Sequence, residues 1–302
     1  MSDDIGAYAL EPGRVRRSFD RAAKTYDAAA VLHAEVRKNL LERLGLVTLV
    51  PGVVLDAGAG TGFGSRALKR LYPKALVVGL DSSLQMLKVA GKQQSWLRPF
   101  DRVCADAQAL PLGEGSVDLI VSNLMLQWCD PDAVFAEFRR VLKPHGLLSF
   151  SAFGPDTLRE LRLAWGRVDA HSHVHQFIDM HDLGDALVRN GFAAPVLDVE
   201  RITLQYLDVR NMAADLKATG AHNVTSGRAR GLTGPRKFAA MQAAYEQFRQ
   251  DGRLPATYEV VFAHAWAPAH TARQRTPPPT SVSLEEIKRE LRARRDGRDG
   301  AR

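Results

Sequence analysis

The segment Asp56-Ala57-Gly58-Ala59-Gly60-Thr61-Gly62 comes directly after the apolar run Val53-Val54-Leu55, and no other stretch constrains the fold as much. Glycines on alternate positions at the end of a buried strand let the backbone turn tightly and approach a ligand that a Cβ would exclude. A dinucleotide-binding loop needs glycines at its first, third and sixth positions. Counted from Gly58 the sixth position is Phe63, and counted from Gly60 it is Ser65, so neither frame fits. The loop reads Asp-x-Gly-x-Gly-x-Gly instead, with an acid before the first glycine. That carboxylate would repel a pyrophosphate and attract a cationic amino-acid group.

The surrounding chain alternates short apolar runs with helical periodicity. Residues Arg14 to Leu44 read as helix, with Val15, Phe19, Ala22, Tyr26, Leu32, Val36, Leu40 and Leu44 on helical spacing. Further strands are expected at Ala75–Leu80, Arg102–Cys104, Val117–Ser122 and Leu147–Phe153, with helices over Ser65–Leu71, from Ser82 or Ser83 to Val89, and over Pro131–Leu142. Lys143-Pro144-His145-Gly146 reads as a turn. This alternation means βαβ units and a parallel sheet buried on both faces. After Gly154 the texture changes. Helices are expected at Thr157–Val168 and Asp182–Asn190, a strand at Val196–Tyr206, a helical insertion over 208–252 and a last strand at Tyr258–Trp266.

Asp81 ends the second strand and Asp106 the third. Either alone reads as a cap or turn residue. Three acids at successive strand ends are harder to explain that way, because open α/β sheets bind ligands at those ends. Asp81 can accept both hydroxyls of a ribose, and Asp106 a hydrogen bond from an adenine amino group. Together with the acid at Asp56, the pattern favours S-adenosylmethionine, a zwitterion without phosphate. From about Val53 to Phe153 the chain resembles the class I methyltransferases. The resemblance implies a Rossmann-like α/β fold: a mostly parallel seven-stranded sheet, helices on both faces, an antiparallel seventh strand and a helical substrate-side insertion. It also implies that Gly58, Gly60 and Gly62 line the methionine moiety with Asp56 near its amino group. Asp81, with Ser82 beside it, would hold the ribose; Met86 and Ala107 would flank the adenine, Asp106 would face its amino group, and Asn123 would lie beside the sulfonium.

The residues directly after the fourth strand narrow the choice of acceptor. Nucleic-acid amino methyltransferases place Asn/Asp-Pro-Pro-Tyr/Phe there, whereas this chain has Asn123-Leu124-Met125-Leu126. His171, His173 and His175 alternate without an acid triad, which reads as a polar loop and not as a metal site. Over about Arg14 to Pro268 the chain resembles the malonyl-[acyl-carrier-protein] O-methyltransferases of biotin synthesis. The carriers are Phe19-Asp20-Arg21-Ala22-Ala23 with Tyr26-Asp27, Ser122-Asn123-Leu124 leading to Gln127-Trp128, Phe153-Gly154 with Thr157-Leu158, Thr219-Gly220-Ala221-His222-Asn223, and Ala256-Thr257-Tyr258.

That resemblance implies methyl transfer to a malonyl carboxylate on an acyl carrier protein. The group is already ionised at pH 7, so no general base is expected. Tyr26 is then either a lid over the cofactor or a core tyrosine. Gln127, Trp128 and Phe153 would border the acyl group, and Arg159, His175 or Arg228 would anchor its carboxylate. Arg228, Arg230, Arg236 and Lys237 would form a basic docking face, or simply a solvated one. Two alternatives share much of this pattern: a complex I assembly factor of the arginine-hydroxylating kind, and a methyltransferase acting on a quinone precursor or a polycarboxylate.

Composition bounds the remainder. The 302 residues carry a net charge of +7, and no apolar run approaches the ~20 residues of a membrane span. The start has no apolar secretory core, and Cys104 and Cys129 are too few for a disulfide framework, so a cytoplasmic protein is expected. From Thr271 to Arg302 nine Lys/Arg stand against five Asp/Glu, around a Pro277-Pro278-Pro279 run. Such a stretch buries too little to offset its ordering entropy. The expected organisation is a flexible 1–13, one methyltransferase domain over 14–268 with a helical lid at 14–50, and a disordered basic tail over 269–302. Neither a membrane nor a specific nucleic acid is expected as partner.

Overall fold

Successive residues of the central strands face opposite ways and are mostly apolar on both sides, so the sheet must be covered on both faces. In the computed structural model, which describes residues 11–221 and 233–269, this is how the core divides. β1 (Val53–Ala57), β2 (Leu76–Asp81), β4 (Val117–Asn123) and β5 (Leu142–Phe153) send Val54, Val77, Leu119 and Leu147 to one face. Leu55, Val78, Ile120 and Leu148 go to the other. The first face is covered by α3 (Val31–Leu44) through Leu32, Val36, Leu40 and Leu44, and by Leu68 of α4 (Phe63–Leu71). The second is covered by Val134, Phe135, Phe138 and Val141 of α6 (Pro131–Val141) and by α8 (Met180–Arg189).

Together with β3 (Asp101–Cys104), β6 (Ala193–Tyr206) and β7 (Leu254–Trp266) these strands form one seven-stranded sheet in the order β3-β2-β1-β4-β5-β7-β6. β7 runs antiparallel to both β5 and β6, and the other pairs are parallel. The order reverses between β1 and β4, which opens a crevice beyond the carboxyl ends of those strands. α1 (Pro12–Ala22), α2 (Tyr26–Ala29) and α5 (Leu84–Gln93) lie by that crevice, whereas α7 (Arg159–Gly166), α9 (Val209–Ala218) and α10 (Pro235–Tyr245) belong to the second half of the chain. The described residues all fall in one unit that ends at Ala269. Among them no helix is long and apolar enough to cross a membrane.

Several boundaries differ from the sequence expectation. The helix expected over Arg14–Leu44 is three helices, and α1 begins within the expected flexible start. The Thr25 hydroxyl donates to the carbonyls of Ala22 and of the remote Ala218, which stops α1; Ala30 (φ −83°, ψ 35°) then separates α2 from α3. The turn expected at Lys143–Gly146 lies inside β5, where pairing with β4 skips from Leu142 to Leu147. The N–H of His145 donates to the Ala267 carbonyl, and the N–H of Ala267 donates to Gly146. The helix expected from Thr157 begins at Arg159, because the Leu158 N–H and the Thr157 hydroxyl are given to the β7 carbonyls of Thr257 and Glu259. Residues 1–10, Arg228 and Arg230, and the tail beyond Ala269 lie outside the described residues.

Candidate active site

The glycine loop caps the crevice, and its geometry is fixed by the end of β2, through Leu80 and the acid Asp81. The N–H groups of Gly58 and Ala59 donate to the Leu80 carbonyl, and that of Gly60 donates to Asp81 at 2.8 Å. The other Asp81 oxygen accepts from the Ser83 N–H, also at 2.8 Å. Burial still pushes the Asp81 carboxyl above the usual carboxylate range. A cavity of about 440 Å³ opens here, lined by Asp81, Ser82, Met86, Asp106, Ala107, Asn123, Trp128, Tyr26, Gly58 and Gly60. Ten of the expected residues therefore converge on one space. Met86 and Ala107 are buried apolar walls, whereas Asp106 is exposed at the rim and caps its own turn at the Gln108 N–H. The apolar walls and the carboxylate acceptors suit an adenosine.

A second lobe of about 540 Å³ shares Tyr26, Gly58, Gly60 and Asn123 with the first, and adds Asp56, Thr61, His33 and Arg37. Asp56 is buried beneath the loop, and its carboxylate accepts from the Ser65 hydroxyl at 2.6 Å. Burial is the main cause that pushes it up to about 6, opposed by the Ser65 hydrogen bond and by the Arg37 guanidinium. Arg37 lies 5.1 Å from the Phe63 ring centroid. Among the described residues it donates to no carboxylate. A zwitterion fits this lobe, with its ammonium toward Asp56 and its carboxylate toward Arg37.

Sequence motifs do not single out His33 and Arg37. They sit four apart on α3 beside the apolar stripe of Leu32, Val36 and Leu40, so their shared face was the available signal. If Arg37 takes the methionine carboxylate, Arg37→Ala should weaken S-adenosylmethionine binding by about 1.5 to 3 kcal/mol. The decarboxylated analogue should bind wild type and variant alike, as calorimetry would show. Equal losses for both ligands would place Arg37 elsewhere.

The raised Asp56 carboxyl has a pH signature. Because its folded value exceeds the ordinary one, the free protein loses stability as pH rises through both, from about 4 to about 6. A bound ammonium favours the ionised form, so cofactor binding releases a proton below neutrality. Cofactor affinity should rise about tenfold between roughly pH 5 and pH 7, and Asp56→Asn should flatten that rise. A flat wild-type profile would mean that no cation approaches Asp56.

The glycines differ in what they do. Gly60 has φ +54° and open space where a Cβ would stand, as befits a lobe wall. Gly62 was expected to line the methionine moiety, but it lines neither lobe. At φ +83° it starts α4, and a Cβ there would come within 2.9 Å of Ala90 and of Phe100. Its role is close packing of α4 against α5.

Around the acceptor side the rings form an arc. Tyr26 lies 5.4 Å from His33, His33 6.5 Å from Phe153, Phe153 5.6 Å from Phe177, Phe177 5.6 Å from His175, and His175 5.6 Å from Trp128. Tyr26 and Trp128 also line the first lobe, so the arc begins and ends there. Burial holds the Tyr26 hydroxyl protonated and lowers His33 to about 4, so both are neutral donors at pH 7. Burial likewise lowers His175.

Two expected acceptor residues, Gln127 and Arg159, depart from their expected places. Gln127 turns back to donate to the Leu124 carbonyl at 2.7 Å, because the 3₁₀ turn Leu126–Trp128 buries it. Phe153 stands in the arc and in neither lobe. Arg159 is an exposed residue at the start of α7, 3.3 Å from the Glu160 carboxylate, and does not reach the lobes. Of the docking cluster, Lys237 donates to Asp169 at 2.8 Å, and Arg228 lies outside the described residues. His173 stacks on Trp165 at 3.8 Å while His175 faces Trp128, so the alternating histidines diverge. Among the described residues no three of His, Cys, Asp or Glu are grouped to hold a metal.

Comparison with known proteins agrees with this architecture. A family model described as a methyltransferase domain matches residues 55–150. A malonyl-[acyl-carrier protein] O-methyltransferase of Laribacter hongkongensis is 54% identical over 278 residues, covering 89% of this chain and 94% of the relative. One of Methylovorus sp. is 56% identical over 269 residues, covering 87% and 91%. Among solved structures, the YcgJ protein from Bacillus subtilis superposes with a TM-score of 0.54 at 18% identity, over 76% of this chain and 97% of its own. At that identity the likeness concerns the fold.

Proposed function

From the premise that this chain belongs to the malonyl-[acyl-carrier protein] O-methyltransferase family, we infer that it esterifies the free carboxylate of a malonyl thioester at the expense of S-adenosylmethionine. The observation that carries this reading is identity above one half over nearly the whole chain, well beyond the segment common to methyltransferase domains. The carrier-bound thioester is the acceptor we assign, and the product is the methyl ester that opens the pimeloyl branch of biotin synthesis.

S-adenosylmethionine supplies an electrophilic methyl carbon that a carboxylate oxygen displaces in line from sulfur. The chain has to align that oxygen and exclude water. A malonyl carboxylate is an anion at pH 7, so no residue needs to remove a proton. We assign Tyr26 as the lid: it lies between both lobes, and its protonated hydroxyl can donate to the acceptor oxygen that does not attack. Asn123 is held rigidly beside it, donating to the His33 carbonyl and accepting from the Ser151 hydroxyl. Anion and cation cancel as the methyl moves, so charge is smaller in the transition state than before it. Walls of Trp128, Phe153 and Phe177 therefore disfavour the separated charges more than the transition state.

The test uses labelled cofactor with malonyl-carrier protein, malonyl-coenzyme A and acetyl-carrier protein. A gain of one methyl group on the malonyl thioesters, absent on acetyl, is expected. No transfer under conditions where the cofactor binds would return the chain to the assembly-factor reading.

A further inference from the structure

The aromatic arc has an outer side. There a third cavity of about 480 Å³ lies between α7 and the segment 169–177, with Trp165, Gly166, Asp169, His173, Gln176 and Phe177 among its walls. Phe177 also contacts Phe153 and His175 of the arc. One layer of rings thus separates this groove from the acceptor space. The groove is firmly built. The His173 ring lies flat on Trp165 (3.8 Å, 6°), and its Nε2 is 2.7 Å from Asp169, whose other oxygen accepts from Lys237 of α10.

Arginines lie on the elements that build the groove: Arg162 lines it, Arg159 and Arg167 stand on or directly after α7, and Arg236 is the second residue of α10, next to Lys237. Arg162 is fixed by donating to the Pro155 and Thr157 carbonyls. Of the neighbouring acids Glu160 pairs with Arg159 alone, and Arg162, Arg167 and Arg236 keep their charge. Glu160 is buried against the Thr257 hydroxyl and N–H, and Asp169 is already matched by Lys237.

We propose that this groove receives the phosphopantetheine arm of an acidic acyl carrier protein, and that Phe177 is the ring that parts to pass the malonyl end inward. The proposal rests on the methyl-transfer reading. A cofactor that fills both lobes leaves the acceptor in need of a separate way in, and Phe177 is the ring that belongs both to the arc and to the groove wall. An arm of amides and methyl groups suits walls of Trp165 and Phe177 beside Gln176. An acidic carrier surface suits these arginines.

Gly166 offers a clean obstruction. It closes α7 and lines the groove, and a Cβ there would meet no atom within 4 Å. Gly166→Phe should raise KM for malonyl-carrier protein at least tenfold and should impair malonyl-coenzyme A as well, since both carry the arm. Its melting temperature and its calorimetric affinity for S-adenosylmethionine should match wild type, and Gly166→Ala should behave nearly as wild type. Reversing Arg167 and Arg236 together to Glu should raise KM for the carrier-bound substrate alone, by a factor that shrinks with added salt. Wild-type transfer with KM unchanged in Gly166→Phe would overturn the groove while leaving the methyl-transfer reading intact. Neither transfer to, nor binding of, malonyl-carrier protein by the wild type would overturn both.

Discussion

Gly62→Ala is expected to lower the melting temperature by roughly 5 to 15 °C, whereas Gly60→Ala should cost the fold less than half as much and act mainly on cofactor affinity. Both residues hold positive φ, so each alanine carries about 1 to 2 kcal/mol of left-handed strain. Only at Gly62 does the new Cβ also meet packed neighbours, Ala90 and Phe100 at 2.9 Å. Overpacking of that kind costs about 1 to 3 kcal/mol more. In a folded unit of this size each kcal/mol moves the transition by about 2 to 4 °C. At Gly60 the Cβ enters open space in the lobe wall, so beyond the strain its effect should appear in calorimetry. Equal melting losses for the two variants would contradict this division of labour.

Asp81→Ala should weaken S-adenosylmethionine binding by at least about 1.5 to 3 kcal/mol, ten- to a hundredfold or more, the usual worth of a hydrogen bond to a charged group. Its two carboxylate oxygens hold the Gly60 and Ser83 N–H groups, and in the proposed site they also accept the ribose hydroxyls. Removing them loosens the loop and deletes the ribose contacts together. Asp81→Asn keeps one acceptor oxygen and should fall between. An unchanged affinity in Asp81→Ala would remove this residue from the site, and comparable binding of NADH would undo the cofactor assignment.

Much of this protein is written in short stretches of chain. The glycine loop with Asp56, the strand-end acids Asp81 and Asp106, and the paired apolar runs each act within a few residues of themselves. Their spacing alone determined the sheet, its burial on both faces and the strand ends at which the candidate cofactor crevice opens. Gly62 shows where that reasoning stops. It belongs to the same motif as Gly60, yet what it serves depends on Ala90 and Phe100, which the motif does not contain. The same holds for the helix expected over Arg14–Leu44. Its periodicity is continuous, but the Thr25 hydroxyl reaches a carbonyl at Ala218 and the helix ends. Gln127 looked like a substrate contact until its 3₁₀ turn buried it. His33 and Arg37 became site residues only because α3 crosses over the loop between β1 and α4. Local periodicity and turn chemistry are properties of adjacent residues, so the sequence carries them directly. Which side chains share a cavity is set by packing between remote segments, and only the assembled tertiary structure decides that.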